Sequence, residues 1–293
     1  MVIYGKLVCN QHAISEYSKE SIGKTIGKGL YLDASIVDHS CAPNATWFHR
    51  GKEQVFKTIE DVENFSDLRI SYLGQLNENT EKRRELLMNS KFFHCECRKC
   101  LDVPRDQLKS SLICSQCGEC VSTINDGKCQ NCKLELDSML IKKHKVMKDH
   151  FKITQNDKKL QDIQIYENEF DQAVRIFHPY DNDFYHFLIK TLNVFKMRFH
   201  ETNCLNSRVL KIVELKLINQ YQNFPFYTSD NAIIELEAVS ICLALNDLDK
   251  AESHFLKAKE ILKIDPGEDH PFVINKLGQV QQFILDAKRK VKK

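Results

Sequence analysis

The stretch that decides the fold reads Phe92-Phe93-His94-Cys95-Glu96-Cys97-Arg98-Lys99-Cys100, and upstream of it stands Asp38-His39-Ser40-Cys41-Ala42-Pro43-Asn44. The first contains three thiolates in a C-x-C-x-x-C pattern, a spacing typical of metal ligands. A closed structural zinc site takes four ligands in a tetrahedron, and Cys41 is the natural donor of the fourth. We therefore predict a zinc ion that ties the two stretches together, with the ligands Cys41, Cys95, Cys97 and Cys100.

A second cysteine unit follows, with the pairs Cys114-x-x-Cys117 and Cys129-x-x-Cys132. Each pair can hold one side of a metal ion, and two facing pairs complete a four-thiolate tetrahedron. This pattern predicts a zinc ribbon. We expect a structural role in preference to a binding site, because a closed four-cysteine centre has no open position for chemistry. Cys120 is surplus: it is a spare thiol, or it competes with Cys117 as the ligand.

The composition is that of an ordinary globular protein, with 293 residues, 42% hydrophobic and 28% charged. The net charge of +2 gives no case for binding nucleic acid or a membrane. No stretch approaches the roughly 18 apolar residues that a membrane span needs, and the N-terminus lacks a signal-peptide pattern. The twelve cysteines therefore indicate two zinc sites in a reducing compartment, the cytoplasm or the nucleus.

The first part of the chain has short strand-like runs, whereas residues 138–293 have helical periodicity. Strands are predicted over 6–9, 12–14, 27–32, 44–49, 54–59 and 68–73, and a short helix begins at Thr80. Seven helices are predicted over 139–152, 160–177, 182–200, 207–221, 232–245, 248–264 and 272–290. The stripe Ala251, Phe255, Ala258, Leu262 lets two helices approach closely, as in a tetratricopeptide (TPR) pair.

The cysteine stretches and two pieces between them resemble the SET domain of the SET and MYND domain (SMYD) family of protein lysine methyltransferases. The two pieces are Ile70-Ser71-Tyr72 and Arg83-Arg84-Glu85-Leu86-Leu87. The resemblance implies an α+β chain in three parts. Residues 1–90 would be the C-terminal part of a SET domain, 91–137 a post-SET zinc segment with the ribbon, and 138–293 a helical TPR-like domain.

The resemblance also implies a cofactor, a substrate and a set of site residues. The cofactor is S-adenosylmethionine, and the substrate is a lysine-bearing protein such as a histone. The catalytic position falls on Tyr72, whose hydroxyl would lie near the methyl group and the target nitrogen. The cofactor-binding positions fall on Asn10, Asp38, His39 and Phe93.

Three departures from the family pattern leave two functions open. Asp38 and Lys91 replace a family asparagine and a family tyrosine. We also expect the family's glycine-rich cofactor loop and MYND finger to precede residue 1. The first function is a lysine methyltransferase. The second, which the departures favour, is an inactive zinc-bound SET remnant whose helical domain serves as a scaffold for protein partners.

Overall fold

The computed structural model describes residues 2–16, 24–124, 127–156, 162–202 and 205–291. These residues contain four two-stranded sheets, of which only the sheet of β3 and β6 is parallel. The strands are β1 Gln11–Glu16, β2 Lys24–Leu30, β3 Asp38–His39, β4 Ala45–Arg50, β5 Glu53–Thr58, β6 Arg69–Ile70, β7 Ser111–Ile113 and β8 Cys120–Ser122. The pairs are β1–β2, β3–β6, β4–β5 and β7–β8.

The helices dominate the later part of the chain, as the periodicity predicts. They are α1 Val2–Asn10, α2 Thr80–Lys91, α3 Arg98–Leu101, α4 Val103–Gln107, α5 Ser138–Asn156, α6 Ile163–Ala173, α7 Asn182–Thr202, α8 Arg208–Asn223, α9 Ser229–Ala244, α10 Leu248–Leu262 and α11 Pro271–Val291. Each of the seven predicted helices is confirmed to within a few residues at its ends. Residues 160 and 161 of the second predicted helix lie outside the described residues.

Two predicted strands are wrong in whole or in part. Residues 6–9 belong to α1, and the side-chain amide of Asn10 donates to the carbonyl of Lys6 at 2.8 Å in its last turn. A short apolar run does not distinguish a strand from a helix by its periodicity. The strand predicted over 68–73 is reduced to β6, because Ser71 Oγ bonds the backbone N–H and C=O of Leu73 and bends the chain there.

The chain forms two compact units that do not follow its order. The first unit comprises Met1–Leu76, Glu81–Leu101 and Phe224–Lys293, and the second comprises Asn77–Thr80 and Asp102–Asn223. The first therefore contains the strands β1–β6 together with the helices α9–α11. The second contains β7, β8 and the helices α4–α8. The three-part division at 90 and 137 stays a prediction.

The predicted helical hairpin is α9 and α10 of the first unit. The small residues of its stripe, Ala251 and Ala258, are fully buried, as close helix packing requires. A buried hydrogen bond crosses the hairpin, where His254 Nδ1 lies 2.5 Å from a carboxylate oxygen of Glu235. The TPR-like character of the whole helical region stays a prediction.

A buried carboxylate links the helices of the first unit to the β4–β5 hairpin. Asp265 follows α10, is only 3% exposed, and accepts from the Thr46 hydroxyl on β4 at 3.0 Å and from the Ser229 backbone N–H at 2.8 Å. Both donors use Oδ2, and Oδ1 has no hydrogen-bond partner among the described residues. Burial raises the pKa of Asp265 to about 6, because two neutral donors do not replace the lost hydration.

Replacing Asp265 with asparagine is expected to change how stability depends on pH. A carboxyl whose pKa is raised on folding costs stability as pH rises from its unfolded pKa towards its folded pKa. A rise of about two pKa units corresponds to a total cost of ~3 kcal/mol, of which ~1 kcal/mol arises between pH 5 and pH 7. The free energy of unfolding of the variant, relative to the natural chain, should increase by that ~1 kcal/mol.

Urea unfolding with saturating zinc, at pH 5, 6 and 7, measures this difference. Lower pH is avoided because thiolate ligands become protonated and release zinc. A stability difference between the two chains that stays constant across this range would contradict the assigned cost of burying Asp265.

Candidate functional site

The structure brings the four cysteines of the split motif together in the first unit. Their sulfur atoms all lie within 4.8 Å of one another, and the Sγ atoms of Cys41 and Cys100 are 3.6 Å apart. A tetrahedron with zinc–sulfur bonds of about 2.3 Å has sulfur–sulfur edges of about 3.8 Å. Cys41 lies just after β3, Cys95 and Cys97 precede α3, and Cys100 lies within α3. The four thiols therefore fit a structural zinc ion in spacing and in chemistry.

Two nitrogen groups contact the sulfur atoms of this cluster. His39 Nε2 lies 3.2 Å from Cys41 Sγ, and Arg83 Nη2 lies 3.4 Å from Cys100 Sγ. The other ring nitrogen of His39, Nδ1, accepts from the backbone N–H of Tyr72 at 3.0 Å. That bond places the ring proton on Nε2. Burial lowers the pKa of His39 to about 4, so the ring is neutral at pH 7.

Sequence reasoning missed Arg83, which is fully buried on α2. A signal for it was present: Arg83 and Leu87 are spaced i, i+4 and so share one helix face. Leu87 is also fully buried and packs with the cysteine cluster. An arginine on the apolar face of a helix needs a buried acceptor, and the thiolates supply one.

The second cysteine group lies in the second unit beside the β7–β8 hairpin. Its four sulfur atoms, from Cys114, Cys117, Cys129 and Cys132, also lie within 4.8 Å of one another. The Cys114–Cys132 and Cys117–Cys129 sulfur pairs are each 3.5 Å apart. Cys120 stands on β8 and is in neither group, and burial raises the pKa of its thiol to about 11.

The two pairs of the ribbon make the same turn. The residue after each pair has a left-handed backbone, with φ of 76° at Gly118 and 63° at Lys133. The backbone N–H of each of these residues donates to the carbonyl of the first cysteine of its pair, at 2.9 Å. Glycine adopts this conformation at no steric cost. Because each cysteine group brings four sulfur atoms within 4.8 Å of one another, both groups could hold zinc.

Tyr72 lies beside the first cluster, packed among aromatic rings. Its ring centroid is 5.2 Å from that of His39 and 6.4 Å from that of Phe93, and its hydroxyl donates to the carbonyl of Val37 at 2.5 Å. The amine of Lys91 lies 5.2 Å above the same ring and donates to the carbonyl of Cys9 at 2.6 Å. Burial lowers the pKa of this amine.

A cavity of about 460 Å³ opens between the Cys41 turn and the segment that carries the other three cysteines. His39 and Phe93 both line it. The ion pair of Glu60 and Arg98, 3.0 Å apart, also lies on its wall. The remaining lining residues are Ser40, Ala42, Asn44, Arg69, His94, Cys95, Glu96 and Cys97. Its volume is within the usual range for small-molecule sites.

The other predicted site residues do not line this cavity in the part of the chain that the structure describes. The side chain of Asn10 bonds within α1. The side chain of Asp38 is 76% exposed, with Arg69 Nη2 at 4.0 Å. Tyr72 packs against the rings of His39 and Phe93 and is not among the residues that line the cavity. The structure thus brings His39, Phe93 and Tyr72 together and leaves Asn10 and Asp38 outside the group.

Comparison with curated proteins finds relatives along nearly the whole chain. The N-lysine methyltransferase SMYD2 of Gallus gallus is 22% identical over 279 residues, which is 93% of this chain and 58% of that protein. The histone-lysine N-methyltransferase SMYD3 of Homo sapiens is 30% identical over 103 residues, 35% of this chain and 23% of that protein. The homologues of this chain are SMYD proteins. These homologues are of the family that the split motif predicts.

A further SMYD relative is a SET and MYND domain-containing protein of Dictyostelium discoideum, 34% identical over 110 residues, 36% of this chain and 25% of that protein. The chain spans about 58% of the length of the SMYD2 proteins that it matches. No family model matches the chain. None of the helices in the described part of the chain is both long enough and apolar enough to cross a membrane.

Proposed function

We propose that this chain forms the zinc-bound and cofactor-binding part of an S-adenosylmethionine-dependent protein lysine N-methyltransferase of SMYD type. One observation carries the proposal: His39 and Phe93 line the 460 Å³ cavity and also pack against the ring of Tyr72. The same two residues thus line the cavity and contact the predicted catalytic side chain. The named activities of the SMYD2 and SMYD3 relatives supply the reaction class.

The cavity residues fit the cofactor in size and in chemistry. The aromatic ring of Phe93 offers a face for the adenine, and residues of the His39 turn line the same cavity. When bound, S-adenosylmethionine supplies a methyl group on a cationic sulfur. Asn10 and Asp38 stay predicted contacts, as does the role of the eight cysteines as ligands of two structural zinc ions.

Tyr72 would orient the reacting groups. Its hydroxyl donates to the Val37 carbonyl, which fixes the direction of the oxygen lone pairs, and burial raises its pKa so that it stays protonated. A target lysine must lose its proton before it attacks, and a poorly hydrated site favours the neutral amine. The same effect acts on Lys91, whose pKa burial lowers.

The wider proposal follows the predicted three-part division. Residues 1–90 would form part of a SET domain, 91–137 the post-SET segment and ribbon, and 138–293 a TPR-like domain that offers a surface to proteins. The substrate class is lysine-bearing proteins, histones among them, since the name of the SMYD3 relative specifies a histone. The place of action would be the cytoplasm or the nucleus.

One observation favours the second candidate, an inactive scaffold. The amine of Lys91 occupies the face of Tyr72, the residue predicted to act on a substrate amine. A second cation beside that ring would be repelled, whether it belongs to a substrate or to the sulfonium of the cofactor. In this reading the zinc-bound fold persists and presents its helices to partners.

Calorimetric titration with S-adenosylhomocysteine and with S-adenosylmethionine tests both candidates. The first ligand has a neutral sulfur and the second a cationic one, so their difference reports the charge of Lys91. We expect micromolar binding of S-adenosylhomocysteine by the natural chain. The Lys91→Met variant should bind it equally and should gain about threefold to tenfold for S-adenosylmethionine.

Phe93→Ala is the matched control, because it removes the cavity wall and leaves Lys91 in place. It should weaken both ligands alike. Binding of neither ligand by a chain that holds two zinc ions would overturn the cofactor proposal in favour of the scaffold. Equal gains for both ligands in Lys91→Met would overturn the assignment of charge repulsion to this lysine.

A further inference from the structure

One side chain connects the first cysteine cluster to Tyr72. The two ring nitrogens of His39 have separate partners, the backbone N–H of Tyr72 on Nδ1 at 3.0 Å and the sulfur of Cys41 on Nε2 at 3.2 Å. Because Nδ1 accepts, Nε2 carries the proton and donates towards sulfur. We propose that His39 is a positioning residue that couples the occupancy of the Cys41 zinc site to the position of Tyr72.

The strength of this coupling depends on the state of the sulfur. A zinc-bound cysteine is a thiolate, which is a stronger acceptor than a neutral thiol. Donors that contact metal ligands commonly fix the ligand and tune the affinity of the site. Binding of zinc at Cys41 thus strengthens the bond from Nε2, orients the ring, and holds the acceptor Nδ1 under the Tyr72 backbone.

The pairing of β3 with β6 places His39 directly beside Tyr72. Strand β3 pairs with β6 in parallel, with His39 opposite Ile70, and the Ser40 N–H donates to the Ile70 carbonyl at 2.9 Å. Beyond β6 the chain leaves the ladder at Ser71. Tyr72 therefore has its backbone N–H satisfied by the His39 ring and not by a strand. Without that ring, the pairing of β3 and β6 does not reach Tyr72.

The inference rests on the zinc part of the proposed function and is independent of methyl transfer. The link has two halves, the bond from His39 Nε2 to Cys41 and the bond from the Tyr72 N–H to His39 Nδ1. Two substitutions each remove one of these bonds and keep the other. An asparagine amide reaches about as far as Nδ1, so His39→Asn keeps an acceptor for Tyr72 and loses the donor to Cys41. A glutamine amide reaches about as far as Nε2, so His39→Gln keeps the donor and loses the acceptor.

Competition with a zinc chelator measures the affinity of the Cys41 site for zinc, and so tests the bond from His39 to Cys41. His39→Asn should weaken the Cys41 site by about 10-fold to 100-fold, whereas His39→Gln should stay within about threefold of the natural chain. The ribbon site is the internal reference, since its zinc should be released at the same chelator concentration in all three proteins. Equal affinity of the Cys41 site in His39→Asn and in the natural chain would overturn the inference.

Fluorine NMR of chains labelled with 3-fluorotyrosine measures the second half, with the Tyr72 signal assigned by its loss in Tyr72→Phe. The spectra are compared with zinc bound at both sites, so that the first unit stays folded. The Tyr72 signal of His39→Asn and of His39→Gln should be shifted or broadened relative to that of the natural chain, because each variant breaks one bond of the link. A Tyr72 signal that is unchanged in both variants would overturn the inference. A natural chain with only the ribbon zinc would instead refute the proposed zinc centre itself.

Discussion

Replacing Cys100 with serine should remove one of two bound zinc ions and unfold most of the first unit. A serine hydroxyl stays protonated at pH 7 and does not replace a thiolate ligand of zinc. Structural zinc sites contribute roughly 10–16 kcal/mol of apparent binding free energy, whereas a domain is stable by about 5–15 kcal/mol. The free energy lost with this ion is therefore comparable to or larger than the whole stability of a domain, and the small sheets of the unit do not replace it.

The measurement is the zinc content by mass spectrometry, together with near-ultraviolet circular dichroism of the tertiary structure. Cys120→Ser is the matched control, because this thiol lies in neither cysteine group. It should keep both zinc ions and a natural spectrum. Two zinc ions in purified Cys100→Ser would show that Cys100 is not a ligand.

Replacing Arg83 with methionine should destabilise the first unit by about 3–5 kcal/mol, the typical cost of removing one partner of a buried charge pair. Four thiolates around one zinc ion carry a net negative charge inside the protein. Arg83 is fully buried, and its guanidinium donates to Cys100 at 3.4 Å, so it offsets part of that charge. Methionine fills similar space but offers neither charge nor donor.

Urea unfolding in the presence of zinc measures the cost, and chelator competition should show a weaker Cys41 site. Lys82→Met, one position earlier in α2, is the matched control because it removes the same charge from a half-exposed side chain. Its ion pair with Glu85 is exposed at both ends, so we expect a loss of at most about 0.5 kcal/mol. Equal stability of the two variants would contradict a buried counter-charge at Arg83.

Both variants test contacts that the sequence predicted to different degrees. The C-x-C-x-x-C spacing and the need for a fourth ligand were enough to predict the group of Cys41 with three distant cysteines. Arg83 was missed because an arginine in a helix is exposed by default, and its acceptor stands on another segment. The link from His39 to Cys41 spans two residues, yet it depends on a turn conformation that composition does not specify.

The same contrast holds for the fold. The later helices were predictable because a long periodic pattern specifies a helix and a buried face together. Residues 6–9 were not, since four residues carry too little periodicity to separate a strand from a helix. The joining of 224–293 with 1–76 in one unit was also beyond reach, because contacts between distant segments leave no local signal.

That joining has a consequence for synthesis on the ribosome. Residues 102–223, almost all of the second unit, leave the ribosome before Phe224–Lys293 emerges. The ribbon and its helices can therefore pack while the first unit still lacks α9–α11. At about 5–20 residues per second the nascent first unit waits for several seconds with its strands uncovered. During that interval Thr46 on β4 lacks the carboxylate of Asp265, so the first unit is complete only once the segment after α10 has emerged.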